Sequence, residues 1–140
     1  SGKKRLFVVD LIHGGMHKAG LCAHGSCDGV TAPAQVESSI QFSNVPSSYC
    51  SSVGKYRIGS RSWSNWGIKV HYKLHGLDSS NSNAFKRTVV LHSYRGVSNE
   101  EVFPDHMMNS WGCPMVSDLM MGYLDSLLKP KKKVLLWVHD

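Results

Sequence analysis

The sequence contains no apolar run that approaches the length of a membrane-spanning helix. Acidic residues are also few, with 10 against 16 basic residues, and the net charge of +6 gives a basic surface. Part of this charge lies in two runs near the ends, Lys3-Lys4-Arg5 and Lys131-Lys132-Lys133, and no nucleic-acid recognition motif accompanies it. We therefore expect neither membrane insertion nor a nucleic-acid partner.

Cysteine is scarce: four residues in a chain of 140 are too few for a disulfide-rich scaffold. The fold must therefore depend on a hydrophobic core, and the chain is long enough to build one. In an oxidising compartment Cys22 can pair with Cys27, or Cys27 with Cys50, and the sequence favours neither pairing. The composition is that of a globular protein, and we expect one domain over residues 1–140, with no internal repeat.

Five residues near the start of the chain are of types that zinc favours: His13, His17, Cys22, His24 and Cys27. Their spacing fits no closed tetrahedral pattern, and no second Cys-X2-Cys pair completes them. We therefore expect no metal and no cofactor, and a zinc-stabilised module stays a minor alternative.

Short β-type segments separated by polar loops dominate the remainder. The predicted strands are Arg5–Leu11, Leu21–Ala23, Gly54–Ser60, Gly67–Leu74, Arg87–His92 and Lys133–Val138. In the clearest of them Ile68, Val70, Tyr72 and Leu74 alternate on one face. We expect Leu21–Ala23 to pair with the first strand across the turn at Gly14-Gly15. The Ser- and Asn-rich stretch Gln35–Ser52 is predicted to be loop, and Ser62–Asn65 a turn.

One helix is predicted, from Asp118 to Leu128, with Ser117 as its N-cap and Lys129-Pro130 ending it. Its expected apolar face comprises Leu119, Met120, Tyr123, Leu124, Leu127 and Leu128. Short strands in series with one late amphipathic helix indicate a mainly β fold.

Cys113 is the strongest candidate for chemistry, because it directly follows a glycine in a short loop between apolar runs. Gly112 permits a tight turn, and His92 ends a predicted strand nearby. A thiol with an ordinary pKa of about 8.5 needs an imidazole to accept its proton or to form an ion pair with it. The N–H groups of Gly112 and Cys113 can stabilise an oxyanion, whereas Pro114 has no N–H. The alternative is a buried, inert cysteine.

The spacing of these residues resembles a known signature. His92, seventeen further residues, and then Ser110-Trp111-Gly112-Cys113-Pro114 resemble the active-site signature of the murein L,D-transpeptidase (YkuD-type) catalytic domain. Further similar segments include Ala23-His24-Gly25, Phe42-Ser43-Asn44, Leu74-His75-Gly76 and Asn83-Ala84-Phe85-Lys86-Arg87. Trp111 departs from the broader family, which has a second histidine there. The resemblance implies a mainly β, sandwich- or barrel-like catalytic domain.

The resemblance also implies a substrate, the peptide stem of peptidoglycan. Cys113 would attack the carbonyl of the third stem residue, expel the terminal D-Ala, and transfer the acyl group to an amine of another stem. With water as acceptor the same centre would be an L,D-carboxypeptidase. A wall-binding module in which Cys113 does no chemistry is the alternative from another class.

Further site residues are expected around this pair. Ser110 would orient His92 or line the cleft, and Arg87 would meet a stem carboxylate if it faces the cleft. The resemblance adds His75, His24 and Asn44 as candidate substrate-binding residues, and Trp111 as a side chain that lines a groove. A structural role is the alternative for each of them.

The compartment is expected from the same resemblance to be the periplasm or cell envelope. Ser1-Gly2 resembles the remnant of an expression tag, so we expect the natural precursor to carry an export signal. We expect the domain to be a monomer.

Overall fold

A computed structural model describes residues 2–32, 41–130 and 133–140. Its elements are β1 (Leu6–Val9), β2 (Met16–Gly20), β3 (Cys22–Ala23), β4 (Gly54–Trp63), β5 (Val70–Gly76), a 3-10 turn (Ser79–Asn81), β6 (Val90–Ser93), β7 (Met115–Val116), α1 (Asp118–Leu128) and β8 (Leu135–Val138). The expected mainly β fold with one late helix is confirmed for these residues. None of the helices in the described ranges is long and apolar enough to cross a membrane.

Six strands form a single sheet in the order β3-β7-β6-β5-β4-β8, which curls into a half-barrel. All neighbours pair antiparallel except β6 and β7, which run parallel. β1 and β2 make a separate hairpin. Strand β6 therefore lies inside the sheet, and both of its neighbours can contribute side chains to any site built on it.

The core lies between one face of this sheet and α1. The alternation predicted for β5 is confirmed, with Val70, Tyr72 and Leu74 at most 7% exposed. Leu91 of β6 joins the same cluster. Because side chains alternate along a strand, the residues between these must lie on the opposite face. His71, Lys73 and His75 of β5 therefore share one outer face with the non-core side of β6.

Helix α1 has the predicted bounds and cap, since the Ser117 hydroxyl oxygen accepts a hydrogen bond from the Met120 N–H at 3.1 Å. Its buried side chains are Met120, Met121, Leu124 and Leu128. The prediction that Leu119 belongs to the apolar face is wrong, because its side chain is 66% exposed. The buried stripe is centred on Met120, Met121 and Leu124, so Leu119 lies outside it.

The pairing predicted for the first strand is wrong. β1 pairs with β2, which directly follows the reversal at Gly14 and Gly15, both at positive φ. Cys22–Ala23 instead pairs with Met115–Val116. The two glycines reverse the chain at once, so the residues just after them already complete the hairpin.

Several predicted boundaries also shift. The strand predicted from Arg87 begins at Val90, because the chain still turns at Thr88, where φ is +60°. β4 continues to Trp63 through an irregularity after Ile58, where a turn was expected from Ser62. Part of the predicted loop Gln35–Ser52 and part of the basic run Lys131–Lys133 lie outside the described residues.

An ion pair joins the sheet to the helix and gives a first testable result. Arg61 donates to both Asp125 carboxylate oxygens at 2.7 and 3.0 Å, and the Tyr72 hydroxyl donates to the same group at 2.7 Å. We expect Asp125→Asn to lower the free energy of unfolding by about 1–2 kcal/mol at pH 7, measured by urea denaturation. The exposed Asp105→Asn is the matched control and should unfold like the parent.

The pH dependence of this stability difference has a defined sign. The Arg61 hydrogen bonds, supported by Tyr72, hold the pKa of Asp125 below its usual range. An acid with a lowered folded pKa stabilises the fold above its unfolded pKa of about 3.9, and this contribution disappears as the pH falls further. The difference between parent and Asp125→Asn should therefore shrink below about pH 4. Equal stability at pH 7 would contradict this assignment.

Candidate active site

The turn formed by residues 110–113, here called the Cys113 turn, enters the sheet beside β6. His92 pairs with Met115 in the parallel ladder, so continuing this register back by two positions places Cys113 alongside Val90. The Val90 N–H donates to Cys113 Sγ at 3.5 Å, and the thiol faces the Thr88 carbonyl at 3.9 Å. Cys113 therefore lies alongside the residue of β6 that is two positions before His92.

The orientation of the His92 ring is fixed by its own strand. His92 is 8% exposed, and its Nδ1 is 3.0 Å from the Ser93 carbonyl oxygen. A carbonyl oxygen can only accept, so Nδ1 must carry the hydrogen. In the neutral ring Nε2 is then the nitrogen with a free lone pair, which a general base requires. Among the hydrogen bonds of the described residues, none joins this ring to Cys113 Sγ.

His71 is a neighbour of His92 that sequence reasoning missed. The two residues are directly opposite in the antiparallel β5–β6 ladder, and opposite residues share one face of a sheet. The signal was present, because the alternation of Val70 and Tyr72 already placed His71 on the face away from the core. What the sequence did not provide was the register between the two strands.

Burial sets the protonation states of the pair. It raises the pKa of the Cys113 thiol, against the opposing effects of the Val90 N–H and the Arg87 charge. It lowers the pKa of His92, with the Ser93 hydrogen bond opposing and the charge of His71 adding to the decrease. At neutral pH the resting pair is therefore a neutral thiol and a neutral imidazole. This favours proton transfer during attack over a preformed ion pair.

The Ser110 hydroxyl holds the turn together. It donates to the Cys113 carbonyl oxygen at 2.6 Å and accepts from the Gly112 N–H at 3.2 Å. Since its single proton is used within the turn, Ser110 donates no hydrogen bond to His92 in this structure, and its expected place in the lining of the cleft stays a prediction. The Gly112 N–H is also committed, which leaves the Cys113 N–H as the predicted oxyanion donor that no hydrogen bond among described residues occupies.

Two of the predicted substrate-binding side chains are instead bonded to the chain itself. Asn44 bonds to Ser79, Ser82 and Asn83 through its side-chain amide. Arg87 directs both terminal guanidinium nitrogens to the segment 43–52. Neither side chain is displayed as a free binding group in this structure, contrary to the expectation.

The other three predicted binding residues make contacts in different parts of the structure. Trp111 is 64% exposed and donates from Nε1 to the Gly29 carbonyl at 3.0 Å. His75 stacks on Phe85, with ring centroids 4.6 Å apart. His24 borders a cavity of about 730 Å³ that Gly112 and Pro114 also line. The residues on either side of Cys113 therefore line this cavity, whereas Cys113 itself does not.

The structure shows which of the two possible cysteine pairings forms. Cys27 and Cys50 form a disulfide, and Cys22 and Cys113 are free thiols. A zinc site that uses Cys27 is thereby contradicted, because its sulfur is already bonded. Across the described ranges no group of three or more His, Cys, Asp or Glu could hold a metal ion. His13 and His17 contact the Asp10 carboxylate at 2.9 and 3.7 Å.

Comparison with known proteins gives one match. A family model described as the L,D-transpeptidase catalytic domain (YkuD type) matches residues 1–137. Neither the curated proteins nor the solved structures provide a match to this chain. The matched range includes β6, the Cys113 turn and α1, and therefore all the residues that build the candidate site. The chain belongs to the L,D-transpeptidase catalytic domain family, whose members act on the cell wall.

Proposed function

We propose that this chain is a peptidoglycan L,D-transpeptidase in which Cys113 is the nucleophile and His92 its general base. The observation that supports this most directly is the hydrogen bond of His92 Nδ1 to the Ser93 carbonyl. It leaves Nε2 as the basic nitrogen of the neutral ring, on the strand that Cys113 Sγ contacts. Ser93 is itself fixed, because it is fully buried and its hydroxyl accepts from the Ile68 N–H.

The proposed reaction begins with proton transfer from Cys113 Sγ to His92 Nε2. The thiolate attacks the carbonyl carbon of the third stem residue, and the Cys113 N–H stabilises the oxyanion. Collapse breaks the bond to the terminal D-Ala, whose nitrogen takes the proton from His92. A stem amine then attacks the thioester and gives its proton to His92. The carbon–sulfur bond breaks, the Cys113 sulfur takes that proton from His92, and the product carries a new 3→3 cross-link.

The surroundings of the turn support this assignment in two ways. The exposed Trp111 ring beside Tyr49 offers an aromatic wall for a peptide or glycan segment. The Cys27–Cys50 disulfide is typical of exported proteins, which fits action in the periplasm or cell envelope. His75 and His24 are retained as proposed substrate contacts beyond the reacting atoms.

Product analysis tests the proposed activity. We expect incubation with disaccharide-tetrapeptide muropeptides to give cross-linked dimers that have lost one D-Ala, detected by mass spectrometry. The Cys113→Ala variant is the matched control and should leave the substrate unchanged. Free tripeptide stems without dimers would assign the chain as an L,D-carboxypeptidase instead. Unchanged muropeptides with the parent protein would favour a wall-binding module.

A further inference from the structure

Arg87 is bonded to one segment of the chain through all four hydrogens of its terminal nitrogens. Nη1 donates to the Ser43 carbonyl at 2.9 Å and to Ser52 Oγ at 2.8 Å. Nη2 donates to the Cys50 carbonyl at 2.7 Å and to Ser48 Oγ at 3.2 Å. A planar guanidinium can satisfy this set of acceptors in fixed directions, which a lysine ammonium cannot do. Arg87 thus holds residues 43–52 in one shape.

The same segment contacts the Cys113 turn through Cys50 and Ser51. Ser51 Oγ donates to the Gly112 carbonyl at 3.2 Å and accepts from the Gly25 N–H at 2.9 Å. A methyl group added at Gly112 would come within 2.8 Å of the Cys50 carbonyl oxygen and 3.5 Å of Arg87 Nη2. The Cys50 carbonyl therefore accepts from Arg87 and also lies directly against Gly112. The Cys27–Cys50 disulfide fastens this part of the segment to the chain near Gly25.

We infer that Arg87 is a positioning residue for the Cys113 turn, acting through the Cys50 carbonyl and Ser51 and not through the substrate. This inference rests on the proposed function for its meaning in catalysis. Its structural part, that Arg87 fixes the Gly112–Cys113 peptide, can be measured without substrate. Among the described residues, these four bonds leave only the Nε hydrogen of Arg87 without an acceptor, so two parallel hydrogen bonds to a stem carboxylate are not available to it.

Two variants separate positioning from the other roles of this side chain. Arg87→Lys keeps the charge but loses the fork of hydrogen bonds, and Arg87→Met loses both. If Arg87 positions the turn, both variants should lose about 100-fold in kcat, because a displaced nucleophile reacts poorly, with KM little changed. Lys86→Met, which removes the exposed neighbouring cation, is the matched control and should retain the parent kcat.

Amide hydrogen exchange provides the readout that does not depend on activity. We expect the peptide spanning residues 110–113 to exchange about tenfold faster in both Arg87 variants than in the parent or in Lys86→Met. If the parent is inactive on muropeptides, the proposed function fails while this exchange result still decides the structural part. Should Arg87→Met not fold, Arg87→Lys alone is compared with the parent and with Lys86→Met.

The opposing results are distinct. A rise in KM with kcat preserved would assign Arg87 to the substrate and overturn the inference. Full activity in Arg87→Lys would show that charge alone matters, which also overturns it. Unchanged amide exchange at residues 110–113 in both folded variants would contradict the inference that Arg87 fixes the Gly112–Cys113 peptide.

Discussion

Replacing Cys113 by alanine is expected to lower kcat/KM by a factor on the order of 10⁴ or more, because no thioester can then form. Wild-type and variant rates would be compared by following D-Ala release from a tetrapeptide stem. The Cys113 side chain contacts Val90, the first residue of β6, and is not a member of the hydrophobic core. We therefore expect Cys113→Ala to fold like the parent. The loss would therefore be chemical and not structural.

Cys22 supplies a matched control within the same chain, since it is the other free thiol of the described residues. It lies in β3, where burial raises the pKa of its thiol to about 11. That thiol stays protonated at neutral pH, and the proposed mechanism assigns no general base to it, which makes it a poor nucleophile. Cys22→Ala should therefore retain the D-Ala release rate. Retained activity in Cys113→Ala, or its loss in Cys22→Ala with the fold intact, would contradict the assignment of the nucleophile.

His92→Ala is expected to lower kcat/KM about 1,000-fold near pH 7, the scale of a lost general base. The loss should depend on pH in a defined direction. Burial lowers the pKa of His92, so in the parent the base becomes neutral and active as the pH rises through a value below 6.5. In the variant only thiolate formed without help can react, and burial raises the pKa of Cys113. The ratio of parent to variant rates should therefore shrink towards alkaline pH.

The exposed His13 on the β1–β2 hairpin is the control for this experiment. His13→Ala removes an imidazole from the hairpin, which is separate from the sheet that contains β6, and should leave the pH–rate profile unchanged. A constant ratio of parent to His92→Ala rates between pH 6 and about pH 9 would indicate a positioning role in place of a base. Equal rates for parent and variant at pH 7 would contradict the proposed mechanism.

The sequence predicted those features that local patterns encode. The Ser117 cap begins α1, and the alternation of Val70, Tyr72 and Leu74 defines β5. The spacing of His92 and Cys113 follows the family signature, and their role as the reacting side chains stays a prediction. Each depends on residues close together in the chain or on a family signature. The family match over residues 1–137 confirms the family resemblance from which a function was predicted.

Features set by distant contacts could not be predicted in this way. Arg87 has the charge expected of a substrate-binding residue, yet its partners lie 35 to 44 positions away in a loop without a sequence pattern. The pairing of Cys27 with Cys50 and the position of His71 opposite His92 depend likewise on how loops and strands meet. Charged and polar residue types indicate possible chemistry, but only the fold decides which of their hydrogen bonds are already used.

The intact mass of the protein after mixing with a tetrapeptide stem, in the absence of an acceptor amine, tests the central claim most directly. We predict a mass increase equal to the stem without its terminal D-Ala, located on Cys113 by peptide digestion and removed by hydroxylamine as a thioester. Consumption of the stem with no adduct on Cys113, or an adduct on a different residue, would contradict acyl transfer through this cysteine.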